Sequence, residues 1–448
     1  PEQEFLSDGM TQEMISQLGR LQPARMSVIG HTSVMRYKKS GTPLEQIGRE
    51  LAVGYVLGGS WRREGTRIRI SAELIQVRDQ IQVWNGTYER DMSGILALQS
   101  EVAGKVAGAL AIKLLPSEEA KLARVRSIDP EAYEAYLKGV QHRETITKDG
   151  FDAAEFYFNL AVDRDPDYAA AWAGLASVWN SRLQLGMATR KEAHPKAKAA
   201  VLKALALDDS EVEAYRTHAG ILTWADWDFE AAARAWNRML ELNPSYAPGL
   251  AGYSHFLMNM GRHKEALAAI ERALELDPYN IRIQSFYAQV LLGTRRYDDA
   301  IAAARKVLSV QPNTGIAMTA LTAALHKKGL YDELLALERE RWAKDPEILE
   351  ALQKGRMEAG YPGAVKRLAD VLAARYGKPG GPRAYIVANS YARAGDIERV
   401  IEWLEKAYEE HDNNMPYIGG NPHFDLVRDD PRFQDLMRRM NLPLGDKR

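Results

Sequence analysis

The side chains in this chain of 448 residues that could carry chemistry are nine histidines, a Gly58-Gly59-Ser60 run, and tryptophans at 224, 227 and 236. Catalysis needs such groups at particular spacings. A serine nucleophile on a sharp strand-to-helix turn needs a glycine two places after it, and Arg62 stands there, so Ser60 reads as part of a strand that tolerates close packing. A zinc-binding helix needs histidines three or four apart, a spacing that no pair shows, the pair His255 and His263 included. Cysteine is absent, which excludes disulfides, thiolate metal sites and cysteine nucleophiles together. No Walker sequence or G-x-G-x-x-G occurs, and the Gly377–Pro382 stretch reads as a loop. The chain is therefore read as non-enzymatic, with no cofactor and no metal. Trp236 reads as core, whereas Trp224 falls where an aromatic anchor for a partner would sit.

What positions these residues is a repeat. Asn243-Pro244, Asp277-Pro278, Gln311-Pro312 and Asp345-Pro346 place prolines 34 residues apart, three times running. Counting back from each proline, small residues recur at Gly220, Ser254, Ala288 and Thr322. Ala232, Ala266 and Ala300 recur nearer the proline, with Leu334 as the exception, and Met239, Ala273 and Val307 nearer still, with Arg341 as the exception. Each proline ends a helix and opens a turn, and small residues sit where two helices cross. The clearest unit runs from Ala247 to Asn280, with apolar positions at three and four through Lys264–Leu274. This pattern resembles the tetratricopeptide repeat of two antiparallel helices per unit. Upstream, Asp165-Pro166 closes a unit holding Gly139, Ala154, Phe158 and Ala161; around Leu185–Pro195 some extra residues are expected to lengthen an inter-helix loop. Downstream, Leu349–Pro379 reads as a degenerate unit, and Ala388, Gly395 and Ala407 fit another. Six to eight units are expected over residues 126–416, stacked into an all-α superhelix, with residues 417–448 as a cap.

Residues 1–125 have a different rhythm. Helices are expected at Asp8–Gln22 and Pro43–Leu51, and a short strand at Met26–Ile29. A β-meander follows through Tyr55–Arg63, Arg67–Val77 and Ile81–Arg90, and then a helix from Ile95 to Leu115. The runs Glu2–Thr11, Ile47–Ser60, Val83–Asp91 and Ile95–Gln99 resemble the TolB-amino-terminal-like domain. The resemblance implies an α+β domain set directly before tetratricopeptide repeats, with one further strand ahead of Pro1. It also implies an output domain upstream: a winged-helix DNA-binding domain with a membrane span, a nucleotide cyclase or a kinase. It brings no catalytic residues with it.

Composition narrows the partners. Lys and Arg number 59 against 60 Asp and Glu, so no global field draws the chain to nucleic acid or acidic lipid. Nothing approaches the roughly 18 uncharged apolar residues that span a bilayer; Lys105 and Lys113 interrupt Ala103–Leu115. The opening Pro1-Glu2-Gln3-Glu4 lacks a leader and an initiator Met, so the chain reads as a piece of a longer protein. Its location is left open between the cytoplasmic and extracytoplasmic parts of a membrane-anchored regulator.

Helical phase assigns a partner-binding groove to the inner faces of the first helices: Thr217, Trp224, His255, Asn259, Arg282, Gln289, His326 and Lys327. This mixed set lacks the dense Lys/Arg clamp that carboxylate-terminated ligands need, so a protein or peptide of no strong acidity is expected. Alanine at Trp224, His255 and Arg282 is expected to weaken capture while sparing stability. Two other functions remain open: self-association into a homo-oligomer, and a small-ligand-binding regulatory part of a nucleotide cyclase or kinase.

Overall fold

A computed structural model describes residues 4–21, 26–112, 114 and 126–444. They form two compact units. The first comprises Pro1–Ile221, Glu230–Leu250 and Ala273–Asn280; the second comprises Leu222–Phe229, Ala251–Arg272 and Ile281–Arg448.

The first unit opens with α1 (Glu4–Gly19), α2 (His31–Met35) and α3 (Leu44–Leu51). Strands β1 (Tyr55–Glu64), β2 (Arg67–Gln76) and β3 (Gln82–Asp91) make an antiparallel sheet in the order β1-β2-β3. Gly65 (φ +62) lets β1 turn into β2. Side chains alternate faces along a strand. Ile68, Ala72 and Leu74 of β2 are accordingly buried, while Arg67, Arg69 and Glu73 are exposed. Helix α4 (Ile95–Ala109) packs beside β3 and buries Ile95, Leu98, Val102 and Val106.

Five repeat helices follow in this unit: α5 (Pro130–Arg143), α6 (Lys148–Arg164), α7 (Ala169–Leu185), α8 (Arg190–Leu207) and α9 (Val212–Gly220), then most of α10 (Phe229–Leu242). Polar caps fix their starts. Asp129 accepts from the Ala132 amide at 2.9 Å with Pro130 in the first turn, and Thr147 accepts from the Gly150 amide at 3.1 Å. Gly139 and Gly174 are small because Phe158 fills the space between them: a Cβ at either would approach its ring to 2.7 or 2.5 Å.

The second unit holds α11 (Ala247–Asn259) from Ala251 and α12 (His263–Leu276) to Arg272. It continues with α13 (Ile281–Gly293), α14 (Tyr297–Val310), α15 (Gly315–Lys327), α16 (Tyr331–Arg341), α17 (Pro346–Arg375), α18 (Ala384–Ala394) and α19 (Ile397–Glu409). The periodic positions are buried: Ser254, Ala266, Ala288, Ala300 and Val307, and also the exceptional Leu334. Arg341, the other exception, is exposed. The degenerate stretch is a helical pair without a loop. α17 breaks at Ala359 and Gly360, and its halves fold back so closely that a Cβ on Gly355 would strike the Gly363 carbonyl.

Four sequence expectations need correction. The extra residues near Leu185–Pro195 do not lengthen a loop; they lengthen α7 and α8 to 17 and 18 residues, with only Gly186–Thr189 between them. Pro195 lies inside α8, in its second turn, where its missing N–H leaves the helix one i→i−4 hydrogen bond short. Residues 26–29 are not a strand: instead of joining the sheet, the segment docks on the repeats, the Gly30 amide donating to the Leu276 carbonyl at 2.5 Å. Helix α1 starts at Glu4, ahead of the expected Asp8, while Gln22 lies outside the described residues. Helix α4 stops at Ala109, where Ala111 takes φ +53, and the expected end at Leu115 lies outside the described residues.

Candidate functional site

In the second unit the inner faces of α11, α13 and α15 are covered by the chain's own tail. The tail leaves α19, passes through two 3-10 turns, Met415–Gly419 and Pro422–Val427, and ends in α20 (Pro431–Arg439). Met415, Ile418, Phe424 and Val427 are fully buried, and Phe424 stacks on Phe433 with centroids 6.4 Å apart.

The tail meets the expected groove residues in sequence order. Tyr417 faces Trp224 across 6.4 Å between ring centroids. Its hydroxyl lies 3.3 Å from His255 Nδ1, and the rings meet edge to face. His255 also packs on Phe286 of α13, with centroids 4.1 Å apart. Gly419 runs against Asn259, where a Cβ would meet the Asn259 carbonyl at 2.8 Å. Arg295, after α13, donates to the Gly420 carbonyl at 3.1 Å and to Asp425 at 2.6 Å. Lys327 donates to the Pro422 carbonyl at 3.2 Å and lies 3.8 Å from Asp425. His423 sits against His326 with centroids 4.9 Å apart, each held by another partner: Asn389 at 3.0 Å for His423 and Tyr361 at 2.9 Å for His326.

Burial sets the charges here. Loss of water lowers the His255 pKa to about 4, with Arg282 adding to the effect. His326 falls to about 4 for the same reason, helped by Arg393 and Lys327. His423 falls further, through burial and then His326. All three imidazoles are neutral near pH 7, so the positive charge on this face comes from arginines and a lysine, among them Arg282, Arg295, Lys327, Arg393 and Arg428.

Two expected groove residues lie on α13, and one acts on the tail through its charge: Arg282 opposes the burial that raises the Tyr417 pKa. Arg282 is exposed, its guanidinium 5.5 Å from the Phe286 centroid, and Gln289 is half-buried on the same helix. Thr217 belongs to the first unit, fully buried beside Arg216. Burial also overturns one expectation: Trp224 and His255 are 9% and 1% exposed, so alanine at these positions removes packing and lowers stability.

Residues missed by sequence reasoning form a part-buried polar network in the first unit. Arg143 and Arg216 hold Glu213 between them at 2.9 and 2.6 Å, and Tyr246 also bonds it. Burial opposes ionisation of Glu213, but the two guanidiniums outweigh it and keep its pKa below the ordinary range. Nearby, Glu13 of α1 accepts from the Tyr136 hydroxyl at 3.0 Å, and Arg20, just after α1, lies 3.8 Å from Glu211. Burial raises the pKa of Glu13, and that of Glu211 to about 7. Spacing carries no signal for these residues, because their partners come from separate helices. Among the described residues no group of three or more metal-ligating side chains occurs, and no helix is long and apolar enough to cross a membrane.

Comparison with known proteins agrees with the helical repeats. Residues 260–325 match the tetratricopeptide repeat family. The protein "Putative adenylate cyclase 3" of Rhizobium meliloti (strain 1021) is 30% identical over 232 residues, covering 50% of this chain. The chain spans only 38% of that relative's length. Among solved structures, a thermophilic tetratricopeptide repeat protein of Thermus thermophilus, TTC0263, is 22% identical over 43% of this chain and 98% of its own, with a TM-score of 0.36. YrrB, a tetratricopeptide repeat protein with an unusual peptide-binding site, is 19% identical over 46% of this chain and 97% of its own, with a TM-score of 0.29. The chain thus carries tetratricopeptide repeats behind a small three-stranded antiparallel sheet.

Proposed function

We propose that this chain is a non-enzymatic, protein- or peptide-binding region of a bacterial signalling regulator. The observation that carries the reading is the seating of a peptide segment, the chain's own tail, on the inner face of the repeats through residues picked out by helical phase. Repeat helices stacked in this way offer a concave surface for a partner segment. Three domains are proposed: residues 1–125 as a TolB-amino-terminal-like domain, 126–416 as the repeats and 417–448 as the cap. The antiparallel sheet followed by α4 supports the first of these. Trp224, His255, Asn259, Arg282, Gln289, His326 and Lys327 stay proposed as the partner-binding set of the second unit, without Thr217, which is buried in the first. Screening the purified chain on a peptide array tests the reading. Retained peptides should lose binding when Arg282 and Gln289 become alanine, with the melting temperature little changed. An array that retains nothing, or retention indifferent to both substitutions, defeats it.

A second reading places this region as the regulatory part of a nucleotide cyclase, which the cyclase name of the Rhizobium relative supports. Fusing the chain to the catalytic domain of that relative should make cyclic-nucleotide synthesis respond to a peptide found on the array. A rate indifferent to every such peptide counts against this reading.

A further inference from the structure

The tail contacts in the second unit are of a kind that a separate peptide could make. Arg295 and Lys327 donate to the main-chain carbonyls of Gly420 and Pro422, groups that every peptide carries. Specificity lies in three other places. Tyr417 supplies an aromatic ring to His255 and Trp224. Gly419 and Gly420 let the backbone pass Asn259 and Met258, where side chains would approach to 2.8 and 3.3 Å. Asp425 supplies the carboxylate for Arg295 and Lys327.

The fit is incomplete. Asn259 is 1% exposed, yet neither its Nδ2 nor its Oδ1 has a hydrogen-bond partner, although a Cβ on Gly420 would lie 3.5 Å from that oxygen. Each such group costs stability that a better-matched occupant would recover. The tail backbone folds into short 3-10 turns bonded within themselves, so leaving the groove does not break a long helix. Against release stand the buried Met415, Ile418 and Phe424. An intact tail therefore keeps the groove closed most of the time, and an external ligand sees only the open fraction.

We propose that the tail is a tethered occupant of the second unit's inner face. That face accepts in trans a peptide of the same chemistry: an aromatic side chain, then two glycine-sized residues, then a carboxylate, spaced as in Tyr417, Gly419, Gly420 and Asp425. The proposal rests on the peptide-binding reading above and adds both the ligand's chemistry and the device that withholds the site.

The test uses a fluorescein-labelled synthetic peptide of residues 413–430, titrated into the full chain by anisotropy. Asp425→Asn, which keeps the shape but drops the charge, loosens the tail. It should raise affinity for the labelled peptide roughly tenfold over the unmodified chain, as expected for loss of a partly buried charge pair. Adding Arg295→Ala to the Asp425→Asn chain should abolish that gain. Equal affinity for the unmodified and Asp425→Asn chains overturns the proposal. So does amide exchange at residues 415–427 that is no faster in the Tyr417→Ala, Asp425→Asn double variant, because the tail then does not open. Should unrelated peptides bind through Arg282 and Gln289 while the tail peptide never does, peptide binding survives and the tethered occupant alone is lost.

Discussion

Ser33 and Asp277 stand 244 positions apart, yet one carboxylate oxygen of Asp277 accepts both the Ser33 amide, at 2.9 Å, and the Ser33 hydroxyl, at 2.6 Å. The same hydroxyl accepts the Tyr279 amide at 3.0 Å. Asp277 belongs to the series of Asx-Pro turns, so a turn residue of the repeat doubles as the receptor for the N-terminal segment. Other inter-repeat turns of the first unit are used similarly: Asp165 accepts Arg126 at 2.5 Å, and Asn243 lies against Gly19.

Asp277→Ala should strand the buried Ser33 donors. The cost is about 2 kcal/mol, since orphaned buried donors forfeit their desolvation. Native-state amide exchange should show Ser33 and Val34 losing protection, while Ile283 in α13 keeps it. Asp277→Asn should cost less, because its carbonyl still accepts. Equal exchange in all three chains would show that the segment is held by something else.

Acid should weaken the second unit. His255 and His326 titrate near 4 when folded, against about 6.5 when unfolded. Between those values the unfolded chain binds the extra protons, so the contribution of these residues is complete above pH 6.5 and lost as the pH falls toward 4. Thermal unfolding followed by the fluorescence of the second unit's tryptophans should show a melting temperature that drops steeply across this window. His326→Gln should flatten part of the drop.

Glu211 should behave in the opposite sense. Its folded pKa of about 7 exceeds the unfolded value, so its neutral form stabilises at low pH and the contribution is lost as the pH rises through 7. Glu211→Gln retains an oxygen to accept the Glu213 amide, which the native side chain does at 3.2 Å. The variant should be more stable than the unmodified chain at pH 8, by on the order of 1 kcal/mol, with the difference gone at pH 4, below both pKa values. Urea unfolding at the two pH values checks the sign.

Gly355→Ala should separate the two halves of α17, because the added methyl meets the Gly363 backbone, which cannot rotate away. Overpacking of this kind costs about 1–3 kcal/mol. Gly54→Ala, at a position with open space around it, is the control and should change the urea midpoint little.

The repeat was legible in the sequence because its cause is local. A proline stops a helix wherever it stands, and a crossing point demands a small side chain in every unit, so both leave a mark every 34 residues. The strands of the sheet were legible for the same reason, through alternation along β2. Helical phase also picked out His255, Asn259, His326 and Lys327, each of which lies against the tail. What covers that face was not legible: whether Tyr417 and Asp425 fold back onto residues so far upstream depends on the path of the tail after α19, and no periodic signal encodes a path. The inserted residues near Pro195 show the same limit, since loop and helix extension differ only in how neighbouring helices bury the extra turns. Local backbone and steric rules were written in the sequence; the pairing of Ser33 with Asp277, of Glu213 with Arg143, and of the tail with its groove was decided by tertiary structure, because each needs groups from distant segments to meet in a buried place where their desolvation is repaid only by one another.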